Sequence, residues 1–209
     1  MTHPMKHPPY WQSPVFGYVV LVSLSILLTR FFHLVLLNWL TLFLLPLFWL
    51  LLLGLVAIGL IWSIGFYLSA APIGQHRGGR SVPLMLQIAI VPIALGLPLE
   101  QLWLTYNFHR YLPARQQVVE LIETNRLGSG MFALPDVYRA TSMGGREVQV
   151  LSWQGNSYVL FFTMQIFGGA AGFIYSENDI PPPDALFAGY QMVQKRPIQP
   201  HWYYIQIGD

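Results

Sequence analysis

From Pro14 to Gly74 the chain runs for about sixty residues with almost no break in apolar sequence, and each bilayer crossing takes about 20. Three crossings would leave nothing for turns, so the length predicts two spanning helices joined as a hairpin. Asn38 beside the interface-seeking Trp39 marks the turn. The first helix is then expected over 14–37 and the second over 42–70. The apolar run far exceeds the core of a cleavable signal, about 7–15 residues, so it reads as a retained anchor behind a tail, 1–13. Arg30 and His33 share one face near the end of the first helix. Either Arg30 snorkels to the headgroups, or the span ends at Thr29 and 30–39 lies along the interface.

The charge is segregated as such a chain requires. Residues 1–107 hold Lys6, Arg30, Arg77, Arg80 and one acid, Glu100. Charged residues make up 10% of the chain and mean hydropathy is +0.47, whereas soluble domains carry about 25% charge. Gln75–Ser81 is a polar, glycine-containing loop, and a third span is expected over 82–105. Pro83, Pro92, Gly96 and Pro98 predict kinks or unwinding within it. Gln87, Glu100 and Gln101 are placed to bond the carbonyls that the prolines free, or to face a partner. With three spans, Lys6 and the pair Arg77 and Arg80 fall on one side of the membrane. The positive-inside rule makes that side cytoplasmic and places the C-terminal half outside, as in a bacterial inner membrane. Arg110 and Arg115, just past the third span, pull the other way. A C-terminal reporter that works only outside the cytoplasm should be active; activity of a cytoplasm-only reporter reverses the orientation.

Residues 108–209 carry the remaining charge and predict a small α+β domain outside the bilayer. Tyr106, Phe108, His109, Arg110 and Tyr111 form an aromatic and basic collar suited to headgroups. Pro113 then suits the start of an amphipathic helix over 113–127, with Val118, Leu121 and Ile122 on its apolar stripe. Strands follow over Glu147–Trp153, Ser157–Met164, Phe173–Ser176, Tyr190–Lys195 and Trp202–Ile207. Gly155-Asn156 marks a hairpin turn, Gly168–Gly172 a flexible break, and Glu177–Asp184, with three consecutive prolines, a loop. The fold class expected is thus a membrane-helical part of three spans plus a helix against a mainly antiparallel sheet of four or five strands. The hairpin, then Gly172-Phe-Ile-Tyr-Ser176, the acidic proline loop and Trp202-Tyr-Tyr-Ile205, resembles small domains of uncharacterised bacterial membrane-anchored proteins. That resemblance covers about the last half of the chain and implies no activity.

Candidate sites were weighed against plainer roles. Glu100, the lone acid of the membrane half, is a functional or partner-pairing group or a solvated helix end. His33 is a ligand for a porphyrin or chlorin metal, or an interfacial histidine beside Arg30. Arg30, Arg77, Arg80, His109 and Arg110 are candidate contacts for anionic lipid or for a partner. Glu177, Asn178, Asp179 and Asp184 carry oxygens for a hard cation, but without EF-hand spacing. The chain has no cysteine, so thiolate chemistry is excluded. Its net charge of +2 gives no ground for a nucleic-acid partner. No cofactor follows from the sequence; bound pigment, haem or lipid stays open. Motifs for nucleophile elbows, zinc proteases, phosphate loops and dinucleotides are absent. The expected function is a non-catalytic accessory subunit of a membrane complex, with membrane proteins and lipids as partners. The alternative is a membrane-tethered binding or sensory domain. An enzyme would need Glu100, His109 and Arg110 to converge.

Overall fold

The computed structural model describes residues 10–40, 44–69, 77–143, 146–166, 168–187 and 189–208. Lys6, most of the expected tail and the start of the 75–81 loop lie outside them. The chain divides into two compact units, residues 1–33 with 40–102, and residues 34–39 with 103–209.

Among the described residues, the first unit contains three helices long and apolar enough to cross a membrane. Helix α1 (Pro14–Phe31) starts where the Ser13 side chain accepts the Phe16 amide at 3.2 Å and Pro14 supplies a preset first residue. It stops earlier than the expected 37: Phe32 leaves helical geometry, and a short α2 (His33–Trp39) follows. Asn38 and Trp39 therefore belong to a helix and are not the hairpin turn. Helix α3 spans Leu44–Leu68 and α4 spans Arg77–Gly96.

Each span buries one narrow stripe. On α1 it is Val15, Val19, Val22, Ile26 and Thr29; on α3 Leu52, Val56, Gly59 and Ser63; on α4 Pro83, Gln87, Ile90 and Ala94. Spacings of three and four keep each stripe on one helical face. The shared core joins Val22 and Ile26 to Leu52 and Val56 and to Ile90 and Ala94. Late α1 thus meets early α3 and late α4, so α1 and α3 are antiparallel, as the hairpin requires, and α4 runs parallel to α1.

The third span differs from its expected 82–105. Arg77 to Ser81 are helical rather than loop, because α4 begins at Arg77. The helix runs through Pro83 and Pro92 and breaks at Leu97–Pro98, where the Leu99 amide turns back to the Leu97 carbonyl at 2.8 Å. A single helix α5 (Leu99–Thr124) then takes in the aromatic collar and the amphipathic segment, with Pro113 inside it rather than at its start.

The second unit sets α5 against six antiparallel strands, one or two more than expected. They are β1 (Gly130–Ala133), β2 (Glu147–Trp153), β3 (Asn156–Ile166), β4 (Gly169–Ser176), β5 (Gln191–Gln199) and β6 (Trp202–Gly208), in the order β1-β2-β3-β4-β6-β5. The β2–β3 turn is Gln154-Gly155, one residue earlier than read, since Trp153 pairs with Asn156. Both turn residues take positive φ (48° and 82°), as a two-residue hairpin turn of this twist demands. The expected break at 168–172 is mostly strand. Gly172 sits opposite the β3 bulge between Phe162 and Met164, so close that a Cβ would run into the Phe161 carbonyl.

The row Val148, Phe161, Phe173 and Tyr204 crosses one sheet face by register, and Phe108 of α5 packs 5.0 Å from the Phe173 ring. The opposite face holds Tyr158, Leu160, Phe162, Ile174, Tyr203 and Ile205 and is covered by Leu186 and Phe187. Burial of both faces explains why Tyr158–Met164 is apolar without alternation. Edge strand β5 is largely exposed, carries Lys195 and Arg196, and contains Pro197; charge and proline both discourage pairing with a further strand.

Candidate functional site

The most unusual group in the sheet domain is Arg115, which sequence reading treated only as a topology signal. Its side chain is wholly buried. It stands on the α5 stripe with Val118, Val119 and Ile122, all buried, while Leu121, expected on that stripe, is 45% exposed. Helical side chains lean toward the N-terminus, and the guanidinium reaches back past Pro113. It donates to the carbonyls of Asn107 and Phe108, each at 3.3 Å, and to Asn107 Oδ1 at 2.7 Å. Its Nε donates to the Thr141 carbonyl at 3.0 Å. The Cζ atom lies 4.6 Å from the Phe173 ring centroid and about 6 Å from those of Phe108, Tyr111 and Phe161. Among the described residues no carboxylate pairs with it. Burial pushes its pKa down to about 9, partly opposed by Tyr111, so the cation persists at neutral pH, held by neutral acceptors and ring faces.

The strand-like segment after Thr141 continues this connection. Ser142 Oγ donates to the Glu147 carbonyl at 2.5 Å and accepts the Phe162 amide at 2.9 Å. The Met143 amide bonds the Phe162 carbonyl at 2.7 Å. Residues 141–143 thereby tie the part of α5 around Arg115 to the bulge of β3.

A second polar cluster pins the proline loop. Asp179 accepts the His201 amide at 2.6 Å and the Tyr203 hydroxyl at 3.1 Å. Ser176 Oγ closes the turn through the Ile180 amide and carbonyl, at 3.0 and 2.8 Å. The His201 amide, foremost, and the Tyr203 hydroxyl hold the Asp179 carboxyl below its ordinary pKa. Its stabilisation is therefore full above about pH 4 and is lost as pH falls through the lowered folded value. Asp179→Asn should remove that acid-side dependence, read as denaturation midpoints at neutral and acidic pH. An unchanged slope would show that the loop is held without the charge.

The proposed cation ligands do not converge. Asn178 donates to Asn156 Oδ1 at 2.7 Å, and Asp184 pairs with Lys195 at 3.6 Å. The Glu123 carboxyl is pushed up by burial and then by the charges of Glu177 and Glu120. No group of three His, Asp or Glu among the described residues could hold a metal.

Of the membrane-half candidates, Arg80 lies over the Phe66 ring at 5.4 Å, and Arg77 opens α4. On α5, Arg110 is exposed and lies about 6 Å from the Tyr106 and Tyr111 rings. Glu100 is roughly two and a half turns from His109 and Arg110 along that helix, so these three do not converge. Arg30, His33 and Glu100 lie toward one end of the bundle: Arg30 in the last turn of α1, His33 at the start of α2 and Glu100 in the first turn of α5.

Inside the bundle, Gln87 Nε2 donates to the Val56 carbonyl at 2.7 Å, and the Ser63 hydroxyl lies 3.5 Å from Gln87 Oε1. The Tyr18 hydroxyl donates to the Leu55 carbonyl at 2.9 Å. Gln87 thus bonds a carbonyl of neighbouring α3, rather than one freed by the prolines of its own helix. Comparison of the chain with protein-family models, curated proteins and solved structures finds no match.

Proposed function

We propose that this chain is a non-catalytic accessory subunit of a larger membrane protein complex. Its spans pack on partner helices, and its sheet domain caps the assembly outside the bilayer. The observation that carries this reading is the use made of the buried polar groups. Arg115, Asn107, Thr141 and Ser142 in the domain, and Ser63 and Gln87 in the bundle, bond the chain's own backbone or one another. Bonded networks of this kind rigidify a scaffold, whereas a reactive site keeps groups free for its substrate. The spans lend further support. Only 17% of the most apolar window of α3 is buried within the chain, and Leu47, Leu50, Ile61 and Leu68 face outward. That surface suits lipid and partner helices alike.

In this reading the chain sits in a bacterial inner membrane, with Arg77 and Arg80 on the cytoplasmic side. Gentle detergent extraction from native membranes, native-gel separation and mass spectrometry of the band test the assignment. The expected result is co-migration with membrane proteins in fixed ratio. A chain that runs alone overturns it.

A further inference from the structure

We propose that the end of the bundle where α1 stops and α5 starts binds a phospholipid headgroup bearing both a phosphate and a primary ammonium. The proposal rests on the membrane-embedded reading of the bundle. Because α1 and α4 run parallel, their C-terminal ends lie at the same end of the bundle. Arg30 stands in the last turn of α1, His33 follows one turn on, and Glu100 stands in the first turn of α5, just past α4.

The Nε of Arg30 and the Nδ1 of His33 are shielded from solvent, and neither has a hydrogen-bond partner among the described residues. Shielded polar groups of that kind are rare in folded proteins and call for an explanation. A phosphodiester supplies what they lack: charged acceptor oxygens, for which a guanidinium is the best-matched side chain. The end of a spanning helix is also the depth at which lipid phosphates lie.

Glu100 narrows the choice of lipid. It stands at the same end of the bundle as Arg30 and His33, so a headgroup that was only anionic would meet a carboxylate of the same sign. A headgroup with an ammonium beyond its phosphate turns that repulsion into an ion pair. A primary ammonium offers N–H donors to the carboxylate; a quaternary one offers charge alone. The sequence of charges in the protein, cation then carboxylate, is complementary to phosphate then ammonium.

The test uses the full-length chain, first checked for retention in membranes after an alkaline wash. The purified protein is stripped of lipid and mixed separately with phosphatidylethanolamine, phosphatidylglycerol and phosphatidylcholine of identical acyl chains. Bound lipid is read by native mass spectrometry. Phosphatidylethanolamine should be retained about fivefold or more over the other two, as a charge-assisted hydrogen bond allows. Glu100→Gln should abolish its advantage over phosphatidylglycerol, and Arg30→Gln should weaken all three together. Equal retention of the three lipids by the unaltered chain overturns the proposal without recourse to any variant. So does an ethanolamine preference that survives Glu100→Gln. Release of the chain by the alkaline wash overturns the membrane reading itself, a separate outcome.

Discussion

Arg115→Ala should destabilise the sheet domain by about 3–5 kcal/mol, the range for truncating a large buried side chain, with stranded acceptors adding to the loss. The substitution removes the donors of the Thr141 carbonyl and of Asn107 Oδ1. It also opens a gap among Phe108, Phe161 and Phe173, and those rings cannot close it without moving the sheet. Arg115→Lys keeps the charge but offers three donors from one nitrogen, and cannot bond Thr141 and Asn107 together as the planar fork does. Arg115→Met keeps most of the volume and removes an unpaired buried cation, which is costly in itself. It should therefore fall between the native chain and alanine. Hydrogen exchange at the β3 and β4 amides reads all three. Protection unchanged in Arg115→Ala would show that the cation is dispensable and that the aromatic cluster alone holds α5.

In the bundle the largest effect is expected at Gly59. A Cβ there would lie 2.5 Å from Gln87 Nε2 and 3.0 Å from the Tyr18 ring. Gly59→Ala forces Gln87 off the Val56 carbonyl, and crowding of this kind costs about 1–3 kcal/mol. The hydrogen bond itself is the smaller part, since interhelical bonds in membranes average about 0.6 kcal/mol. Adding Gln87→Ala should therefore restore much of the stability lost in Gly59→Ala, although Gln87→Ala alone is destabilising. Unfolding in detergent micelles across this double-mutant cycle checks the coupling. Strict additivity would mean that Gly59 matters for some reason other than room for the Gln87 amide.

The three long apolar helices were legible because length and composition are local. Their ends were less so. The break came at Leu97–Pro98 and not at Pro83 or Pro92: within a packed bundle a proline can stay helical, and what ends a helix is decided by the next turn. Pro113 misled in the same way. It suits a helix start, yet α5 runs through it, and the carbonyls two turns back, at Asn107 and Phe108, take second bonds from Arg115. Arg115 was hidden because its cage is assembled from Phe161 and Phe173, on strands far along the chain. One local signal was present. Arg115 stands three, four and seven residues before Val118, Val119 and Ile122, on the apolar stripe, and a charge at such a position points inward. The five strands β2–β6 were readable from β-branched and aromatic runs, although the β2–β3 turn lies one residue earlier and β4 already starts at Gly169. Strand β1, only Gly130–Ala133, has too little sequence to announce itself, and exists because β2 offers it an edge. Among the site candidates, Glu100 was named for the cost of an acid in a membrane, His33 as a metal ligand and Arg30 as a lipid or partner contact, and helix packing places all three toward one end of the bundle.

The strand order carries a consequence for how the domain is made. Strand β6 lies between β4 and β5, so the last of these six strands in chain order occupies the interior of the sheet. The β1–β4 meander can pair as it emerges, but Phe173 and Ile174 of β4 lack their neighbours Tyr204 and Tyr203 until β6 arrives. By then the apolar helices have long since been synthesised. A nascent chain therefore passes through a stage with its apolar helices complete and one apolar sheet margin uncovered. That is the interval in which an assembly partner or a chaperone would find it most adhesive.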